Sequence, residues 1–462
     1  MKRRLKKKEY VFVASMLFGL VFGAGNLIFP AAMGQRAGAA MLPALIGFCT
    51  TGVGLPLLAI AAISITASES LFDICAKVGR RFSYAFTCLL YLSIGPLFAI
   101  PRTATVSFQI GISPFVSAEA QDLGLFIFTF SFFTIVLYFS LRPSGILIWV
   151  GKVLTPLFLL FLSILIVTAV LDPMGSVWDV QPEGPYAEHA FFTGFLEGYN
   201  TMDVLAALAF GNILVNAIKQ LGLSSPKDLS YGTIVSGTFS TALMALLYLT
   251  LTYVGAQSRT VYGIDANGGD SLYHIASHYF GASGGILLGI TITCACLKTA
   301  IGLVTACSTT FSELFPRSPS YAKYAVFFAF FSFAVSNVGL SHIIAYALPV
   351  LYFLYPAAIV LIVLCLLEGV LGYHRPLFVG TMIGTCTAAA FDFIKALSPS
   401  VQSALPGIHL LRTIGEALPL SVIGMGWVVP SITGLLLGSI VLVLQKRWLF
   451  VNSYGEKLRI FF

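Results

Sequence analysis

The feature that most constrains this chain is a series of continuously apolar runs, each about 20 residues long, that recur from end to end. Each run is long enough to cross a hydrocarbon core of about 30 Å. The runs do not alternate between apolar and polar residues, which excludes a closed β-barrel. Since 58% of the 462 residues are hydrophobic and only 10% are charged, we predict an all-α integral membrane protein with one transmembrane domain over residues 1–462.

The apolar runs predict about twelve membrane spans. The first run is too long and too rich in glycine for a cleaved signal peptide, so we expect it to be retained in the mature protein. No polar stretch is long enough to separate soluble domains. The predicted spans lie near residues 10–33, 41–67, 82–110, 123–141, 145–171, 190–217, 230–256, 285–312, 322–338, 341–366, 376–397 and 426–446.

Basic residues predict that both termini are cytoplasmic, because short cytoplasmic loops retain Lys and Arg. The opposite loops differ: residues 172–189 contain no Lys or Arg, and residues 257–284 contain only Arg259. The net charge of +7 therefore follows from topology and from a tail suited to anionic lipid headgroups, and it does not indicate nucleic acid as a partner. The predicted cytoplasmic side carries Lys2, Arg3, Arg4, Lys6, Lys7, Lys8, Lys77, Arg80, Arg81, Arg142, Lys219, Lys227, Arg317, Lys323, Arg375, Lys446 and Arg447.

The first and the sixth spans are interrupted by glycine and polar residues. The first breaks at Gly23-Ala24-Gly25-Asn26 within "FGAGNLIFP", and the sixth breaks around Glu197-Gly198-Tyr199-Asn200 within "GFLEGYN". Glycine alone would more often mark close helix packing. Asn26, Pro30 one turn later and the matching second break favour irregular backbone that lines a binding cavity.

Because the two broken spans are five spans apart, they cross the membrane in opposite directions. This arrangement predicts an inverted 5+5 repeat with two additional helices. The first repeat would cover about residues 10–171, the second about 190–366, and the additional helices about 376–446. In such folds the broken helices bind the substrate and the coupling ion near the bilayer midplane.

Ionisable residues inside spans are candidates for function, because burying them in a membrane is costly. Glu197 is either a structural carboxylate that binds the amides of the break or a contact for an ammonium group, a cation or a proton. We expect Asp203 to cap the half-helix that follows the break, since a carboxylate is favoured there. Arg102 is expected to form a gating or structural ion pair with one of these acids.

Lys298 lies in a span rich in hydroxyl groups, whose oxygens suit Na⁺. Hydroxyl groups in membrane helices more often bond to their own backbone or to a neighbouring helix. The ammonium group of Lys298 would either occupy a sodium position or exchange a proton. The alternatives are that it reaches the membrane surface or pairs with an acid.

Other chemistry is weakly indicated. The eight cysteines lie almost entirely within spans and do not form a disulfide framework. His274 and His278 have the spacing of a metal pair but lack an HExxH pattern, so we interpret them as solvated loop residues.

No cofactor is expected, and the one candidate ion is Na⁺ as a coupling ion. The absence of a GxxxxGK[ST] motif argues against an ATP-driven pump, and no filter motif or catalytic constellation favours a channel or an enzyme.

Four stretches resemble, in order, the signature regions of the bacterial branched-chain amino acid:cation symporter family of the BrnQ type. They are "FGAGNLIFP", "GPLFAIPRTATVSF", "GFLEGYNTMDVLAALAFG" and "TAIGLVTACSTTF". The resemblance implies a LeuT-like fold that imports Leu, Ile and Val through the bacterial inner membrane with Na⁺ or H⁺. An apolar pocket discriminates a single methylene by only about 1–3 kcal/mol, so it would also admit Met. A channel or a transporter of another small solute is the alternative.

The resemblance also assigns roles by position. The carboxylate of an amino acid would be met by backbone N–H groups around the first break, its ammonium group by carbonyls and Glu197, and its side chain by aromatic residues. In this fold the first and eighth helices share a sodium site, but the family pattern has a small hydroxyl residue where this chain has Lys298. The predicted substrate-binding residues are Phe22, Gly23, Ala24, Gly25, Asn26, Phe195, Glu197, Gly198 and Tyr199, and the predicted cation-coupling residues are Gly23, Asn26, Lys298 and Thr299.

We expect the substitution Lys298→Thr to increase the sodium dependence of uptake, because it removes an ammonium group that would compete with the ion and supplies a hydroxyl ligand. The measurement is uptake of labelled leucine into proteoliposomes at increasing Na⁺ concentration. An unchanged response to Na⁺ would contradict the idea that Lys298 replaces the ion.

Overall fold

The computed structural model describes residues 5–66, 68–142, 146–223, 225–317, 319–404 and 407–459. The basic residues Lys2, Arg3 and Arg4 and the predicted span limits at 67 and 145 lie outside these ranges. The described residues form helices joined by turns, with no strand among them, which confirms the all-α prediction. The helices are α1 (Lys7–Val21), α2 (Gly25–Ala37), α3 (Met41–Cys49), α4 (Leu55–Ile65), α5 (Leu71–Ala76), α6 (Arg80–Leu92), α7 (Ala99–Gly111), α8 (Gln121–Leu141), α9 (Ile146–Leu171), α10 (Tyr186–Glu197), α11 (Asp203–Gln220), α12 (Pro226–Tyr262), α13 (Gly268–Leu314), α14 (Tyr321–Ser336), α15 (Leu340–Leu371), α16 (Arg375–Ala396), α17 (Pro399–Ala404), α18 (Ile408–Glu416) and α19 (Val428–Arg459).

Eight helical segments of the described residues are long and apolar enough to cross a membrane, judged by length and composition. The spans predicted near 10–33 and 190–217 are divided into shorter helices, so neither forms a single long segment. Two further predicted spans correspond to shorter apolar helices, Leu159–Leu171 and Tyr321–Ser336. The chain is thus a multi-pass membrane protein, and the number of twelve crossings stays a prediction.

Both predicted helix breaks are confirmed. In the first, α1 ends at Val21 and α2 begins at Gly25, with Phe22 extended at φ −73° and ψ 110° between them. In the second, α10 is followed by a 3₁₀ turn and by Met202 at φ 61°, a left-handed conformation that costs a non-glycine residue about 1–2 kcal/mol. Surrounding contacts must therefore hold the second break open.

The half-helices at each break pack against helices that come from the other half of the chain. The first-half helices α1 and α2 pack on α12, whereas α10 and α11 pack on α3 and α4. This packing is typical of an inverted repeat. The repeat limits at 10–171 and 190–366 stay predictions.

Two of these helix pairs approach each other closely because glycine lies at the contact. A Cβ atom on Gly34 of α2 would lie 2.1 Å from the carbonyl oxygen of Thr252 in α12. A Cβ atom on Gly194 of α10 would lie 1.9 Å from the carbonyl oxygen of Ala44 in α3. Helices α2 and α10 are thereby held at backbone distance against α12 and α3.

The interpretation of residues 257–284 as a loop is wrong, although His278 is exposed as expected. Helix α12 continues to Tyr262 and α13 begins at Gly268, so His274 lies in a helix that bends at Gly281. The Nδ1 atom of His274 is 2.9 Å from Oδ1 of Asp265, and its ring stacks on Tyr262 at 4.9 Å. Asn267 starts this helix by accepting hydrogen bonds from two backbone N–H groups, which a hydropathy pattern does not reveal.

Candidate functional site

A cavity of about 270 Å³ lies between the two helix breaks. Its walls come from the end of α1, the start of α2, the middle of α7, the start of α11 and the second half of α13. Its volume lies just below the range of about 300–1,000 Å³ that is usual for ligand pockets, so only a small molecule would fit. The lining residues are Gly19, Gly23, Ala24, Gly25, Asn26, Ile94, Ala99, Arg102, Thr103, Thr201, Met202, Asp203, Ala206, Phe210, Lys298, Thr299, Gly302, Leu303 and Ala306.

The side chain of Asn26 joins the two breaks. Its Oδ1 atom accepts a hydrogen bond of 2.8 Å from the backbone N–H of Gly23, which belongs to the same break. Its Nδ2 atom donates a hydrogen bond of 2.7 Å to Oδ2 of Asp203, the first residue of α11. It also donates to the hydroxyl group of Tyr248 in α12, which in turn donates to the same carboxylate oxygen at 3.1 Å. Asn26, Asp203 and Tyr248 are almost completely buried.

The expectation that Asp203 caps α11 is wrong. The N-cap position belongs to Met202, and the hydroxyl of Thr201 accepts the hydrogen bond of the Asp203 backbone N–H at 3.3 Å. The carboxylate of Asp203 instead points to α2 and α12, as its bonds to Asn26 and Tyr248 show. A residue in the first turn still benefits from the helix dipole.

Arg102 is a second bridge between the breaks. Its Nη1 atom donates a hydrogen bond of 2.6 Å to the carbonyl oxygen of Asn200. Its guanidinium group lies against Gly25 and over the ring of Phe29, at 5.2 Å from the ring centre. The ion pairs of the described residues do not include Arg102 with Asp203 or Glu197. The two residues Arg102 and Asp203 nevertheless face the same cavity.

Lys298 and Thr299 line the wall formed by α13. If Gly19 carried a Cβ atom, the Nζ atom of Lys298 would lie 3.6 Å from it. The ammonium group is therefore near the carboxyl end of α1, where the helix dipole favours a cation. The hydroxyl group of Thr299 donates to its own backbone, at the carbonyl of Ala295. Among the described residues, no carboxylate forms an ion pair with Lys298.

The predicted substrate residues of the first break line the cavity, apart from Phe22, and those of the second break do not. Phe22 stacks on Phe18 at 4.6 Å, and Tyr199 stacks on Tyr355 at 4.2 Å in a buried aromatic cluster that includes Phe195. These rings pack against protein, so they do not face the cavity in this conformation.

Glu197 and Gly198 are held on the far side of the second break. A Cβ atom on Gly198 would lie 1.9 Å from the hydroxyl of Thr51 in the neighbouring helix, so this glycine serves close packing. Glu197 is partly buried, and its electrostatic partners are Arg36 and the side chain of Asn200. The bend between Glu197 and Asp203 turns α10 away from the cavity.

Several lining residues were not identified from the sequence. Gly302 and Ala306 lie one and two turns after Lys298 on α13, and Ala99 lies one turn before Arg102 on α7. Their helical spacing from a predicted polar residue could have indicated them, whereas Thr103 directly follows Arg102 and has no such spacing. Tyr248 carries no such signal, because its place in the site depends on how α12 packs against α2.

Beyond the first break, a hydrogen-bond network around Gln35 joins α2 to the end of α12 and the start of α13. Gln35 is fully buried, and its Nε2 atom donates to Ser258 at 2.9 Å and to Asp265 at 2.7 Å. Its Oε1 atom accepts from the backbone N–H of Asp265 and from the hydroxyl of Ser271. Arg259 donates to the carbonyl of Gln35 and to a carbonyl of the preceding loop. The cavity lining, in contrast, extends along α11 and α13 on the side of α1.

Comparison with known proteins gives a consistent result. The model of the family described as "Branched-chain amino acid transport protein" matches residues 6–445. A branched-chain amino acid permease of Lactobacillus delbrueckii subsp. lactis is 48% identical over 93% of this chain and 96% of its own length. A branched-chain amino acid permease of Bacillus subtilis (strain 168) is 41% identical over 97% of this chain and 100% of its own length.

Solved structures show the fold. The inward-facing conformation of Mhp1 aligns with a TM-score of 0.55 at 14% identity, covering 98% of this chain and 96% of that chain. MhsT in complex with L-phenylalanine aligns with a TM-score of 0.51 at 15% identity, covering 93% and 100%. Both are LeuT-fold transporters, so the predicted fold is confirmed.

We expect Asn26→Ala to destabilise the protein, because it leaves the Gly23 N–H without its partner and removes one hydrogen bond each from the Asp203 carboxylate and the Tyr248 hydroxyl. A buried unsatisfied group costs about 1–3 kcal/mol. Asn337→Ala is the matched control, since the Asn337 amide donates only to the carbonyl of Phe333 one turn earlier. Thermal unfolding in detergent should show a fall of several degrees for Asn26→Ala and a smaller change for the control. Equal melting temperatures would contradict the role of Asn26 as the link.

Proposed function

The chain belongs to the branched-chain amino acid transport protein family, and we propose that it imports branched-chain and other neutral apolar amino acids by cation-coupled symport across the bacterial inner membrane. The observation that best supports this proposal is the cavity between the two broken helices, whose lining continues along α11 and α13 on the side of α1. Alternating access requires a site between such helices that opens to one side of the membrane at a time.

The cavity combines polar groups at one end with an apolar wall. The start of α2 presents backbone N–H groups, and Arg102 lies beside them at Gly25, so a carboxylate would be bound there. Carbonyl groups at the carboxyl end of α1 and at the second break suit an ammonium group. Glu197 does not reach the cavity and has no part in this binding mode. The apolar wall, which suits an aliphatic side chain, consists of Ile94, Ala99, Met202, Ala206, Phe210, Gly302, Leu303 and Ala306.

The conformation is one step of the transport cycle. With the N-terminus on the cytoplasmic side, as the basic loops predict, the cavity lies in the cytoplasmic half and the Gln35 network closes the outer half. The alternative state would separate Gln35 from Asp265 and Ser271 so that the outer mouth opens.

The position of Lys298 favours H⁺ over Na⁺ as the coupling ion. Its ammonium group lies near the carboxyl end of α1, where the resemblance implies a sodium site shared by α1 and α13. Two cations held together in a cavity of low dielectric constant repel each other strongly. A sodium ion would therefore have to displace the ammonium group.

Uptake into proteoliposomes tests the proposal. Labelled leucine, isoleucine, valine and methionine are offered together with glutamine as a polar control, and Na⁺ and H⁺ gradients are imposed separately. We expect the apolar amino acids to accumulate above the external concentration under at least one gradient, and unlabelled leucine inside to accelerate exchange. If no neutral amino acid accumulates under either gradient, the assignment fails. Equilibration without accumulation or exchange would indicate a channel.

We expect Gly302→Val to reduce leucine uptake by about tenfold and alanine uptake much less, because the new side chain fills the apolar end of the cavity. No atom lies within 4 Å of a Cβ atom on Gly302, so the substitution enters free space without straining the fold. Gly54→Ala is the control, because Gly54 is also helical and uncrowded but lies outside the cavity lining. Leucine uptake equal to that of the unmodified protein would place the substrate elsewhere.

A further inference from the structure

The carboxylate of Asp203 is buried at the second break without an ion pair. Asp203 has 1% of its surface exposed and lines the cavity. Its Oδ2 atom accepts hydrogen bonds from Nδ2 of Asn26 and from the hydroxyl of Tyr248. The ion pairs of the described residues do not include it. An unpaired carboxylate in such a place is costly unless it binds a proton or a cation.

We propose that Asp203 is the residue that carries the coupling proton, and that Tyr248 and Asn26 are the positioning residues that transmit its charge state to both helix breaks. This inference rests on the proposed function. It assigns the proton to a carboxylate on α11, whereas the sequence pointed to Lys298 and Thr299 on α13.

The surroundings of Asp203 fit a proton better than a metal cation. Both groups that contact Oδ2 donate a hydrogen bond to it, and one of them is an amide N–H, which cannot serve as a ligand of a cation. A sodium ion needs a shell of several oxygen ligands.

The charged and titratable groups around Asp203 allow both of its charge states. Arg102 of α7 and the start of α11 favour the carboxylate, and burial favours the neutral acid. Tyr248 of α12 and Tyr355 of α15 face it from two further helices. Across the cavity, α13 contributes Lys298. Within the part of the chain that the structure describes, no cationic group forms an ion pair with this carboxylate.

Protonation would act on the link between the two breaks. A hydrogen bond to a carboxylate is about twice as strong as one to a neutral acid, so protonation weakens the bond from Asn26. The hydroxyl of Tyr248 can donate or accept, so it rotates to accept from the protonated acid. Because Asn26 also holds the N–H of Gly23, the weakened link would free the first break to move. The proton comes from water on one side and is released to water on the other, with no other bond formed or broken.

The first test uses the unmodified full-length chain in sodium-free proteoliposomes with a pH-sensitive dye inside and the membrane potential clamped. We expect addition of leucine outside to acidify the interior together with uptake of the label. Leucine uptake without proton entry would overturn the inference and leave the proposed function intact. Absence of leucine uptake under any gradient would instead overturn the proposed function.

The second test uses Asp203→Asn, whose amide oxygen still accepts from Asn26 and Tyr248. We expect leucine exchange to remain measurable at a reduced rate, and stimulation of uptake by a pH gradient to fall by at least about tenfold. Asp392→Asn is the matched control, because Asp392 is also a buried helical carboxylate but lies outside the cavity lining and 3.9 Å from Lys395. Gradient stimulation of Asp203→Asn equal to that of the control would overturn the inference.

A third variant keeps the test decisive if Asp203→Asn does not fold. Tyr248→Phe removes one donor from the carboxylate and leaves the acid in place. Losing a hydrogen bond that stabilises the charged form makes protonation easier, so the pH profile of leucine uptake should shift upward by about one unit, a tenfold change in proton affinity. A lower rate with an unshifted profile would mean that Tyr248 is only structural and would overturn the inference.

Discussion

The hydrogen bonds of Asn26 are the interaction on which the rest of this structure depends. A membrane helix can be interrupted only where protein groups satisfy its freed backbone. Asn26 satisfies the N–H of Gly23 with its oxygen and binds Asp203 with its nitrogen. The same side chain thus stabilises one break and ties it to the other. The two breaks behave as one unit, and the cavity exists because this unit keeps α1 and α11 apart from α7 and α13.

The two halves of the molecule differ in how firmly they are closed. Glycine contacts hold α2 against α12 and α10 against α3, and the Gln35 network covers their ends. On the side of α1 the cavity continues along α11 and α13 without such a cover. The start of α13 is held against α2 in the same way, since a Cβ atom on Gly268 would lie 1.9 Å from the carbonyl oxygen of Ile28, so the Gln35 network reinforces a contact that glycine already makes close.

Charge is distributed so that each part of an amino acid meets a suitable group. Arg102 lies at the start of α2 and Lys298 near the end of α1, so a positive side chain lies at each of the two helix ends that flank the first break. Asp203 is the acidic residue that faces them in the same cavity. A zwitterionic substrate adds no net charge, and a proton on Asp203 would neutralise the acidic charge of the cavity, so each transported pair carries one positive charge. This is the electrostatic basis of the proposed coupling.

The sequence by itself determined the membrane class, the two helix breaks and the first-break residues that line the cavity, because length, hydropathy and helix-breaking residues act locally. Only the tertiary structure decided that Glu197, Gly198 and Tyr199 turn away from the cavity, and that Asp203 binds across to Asn26 and does not cap its own helix. Tyr248 likewise enters the site through the packing of α12. The physical reason is that a break has no helical period, so the direction of each side chain beyond it is set by neighbouring helices.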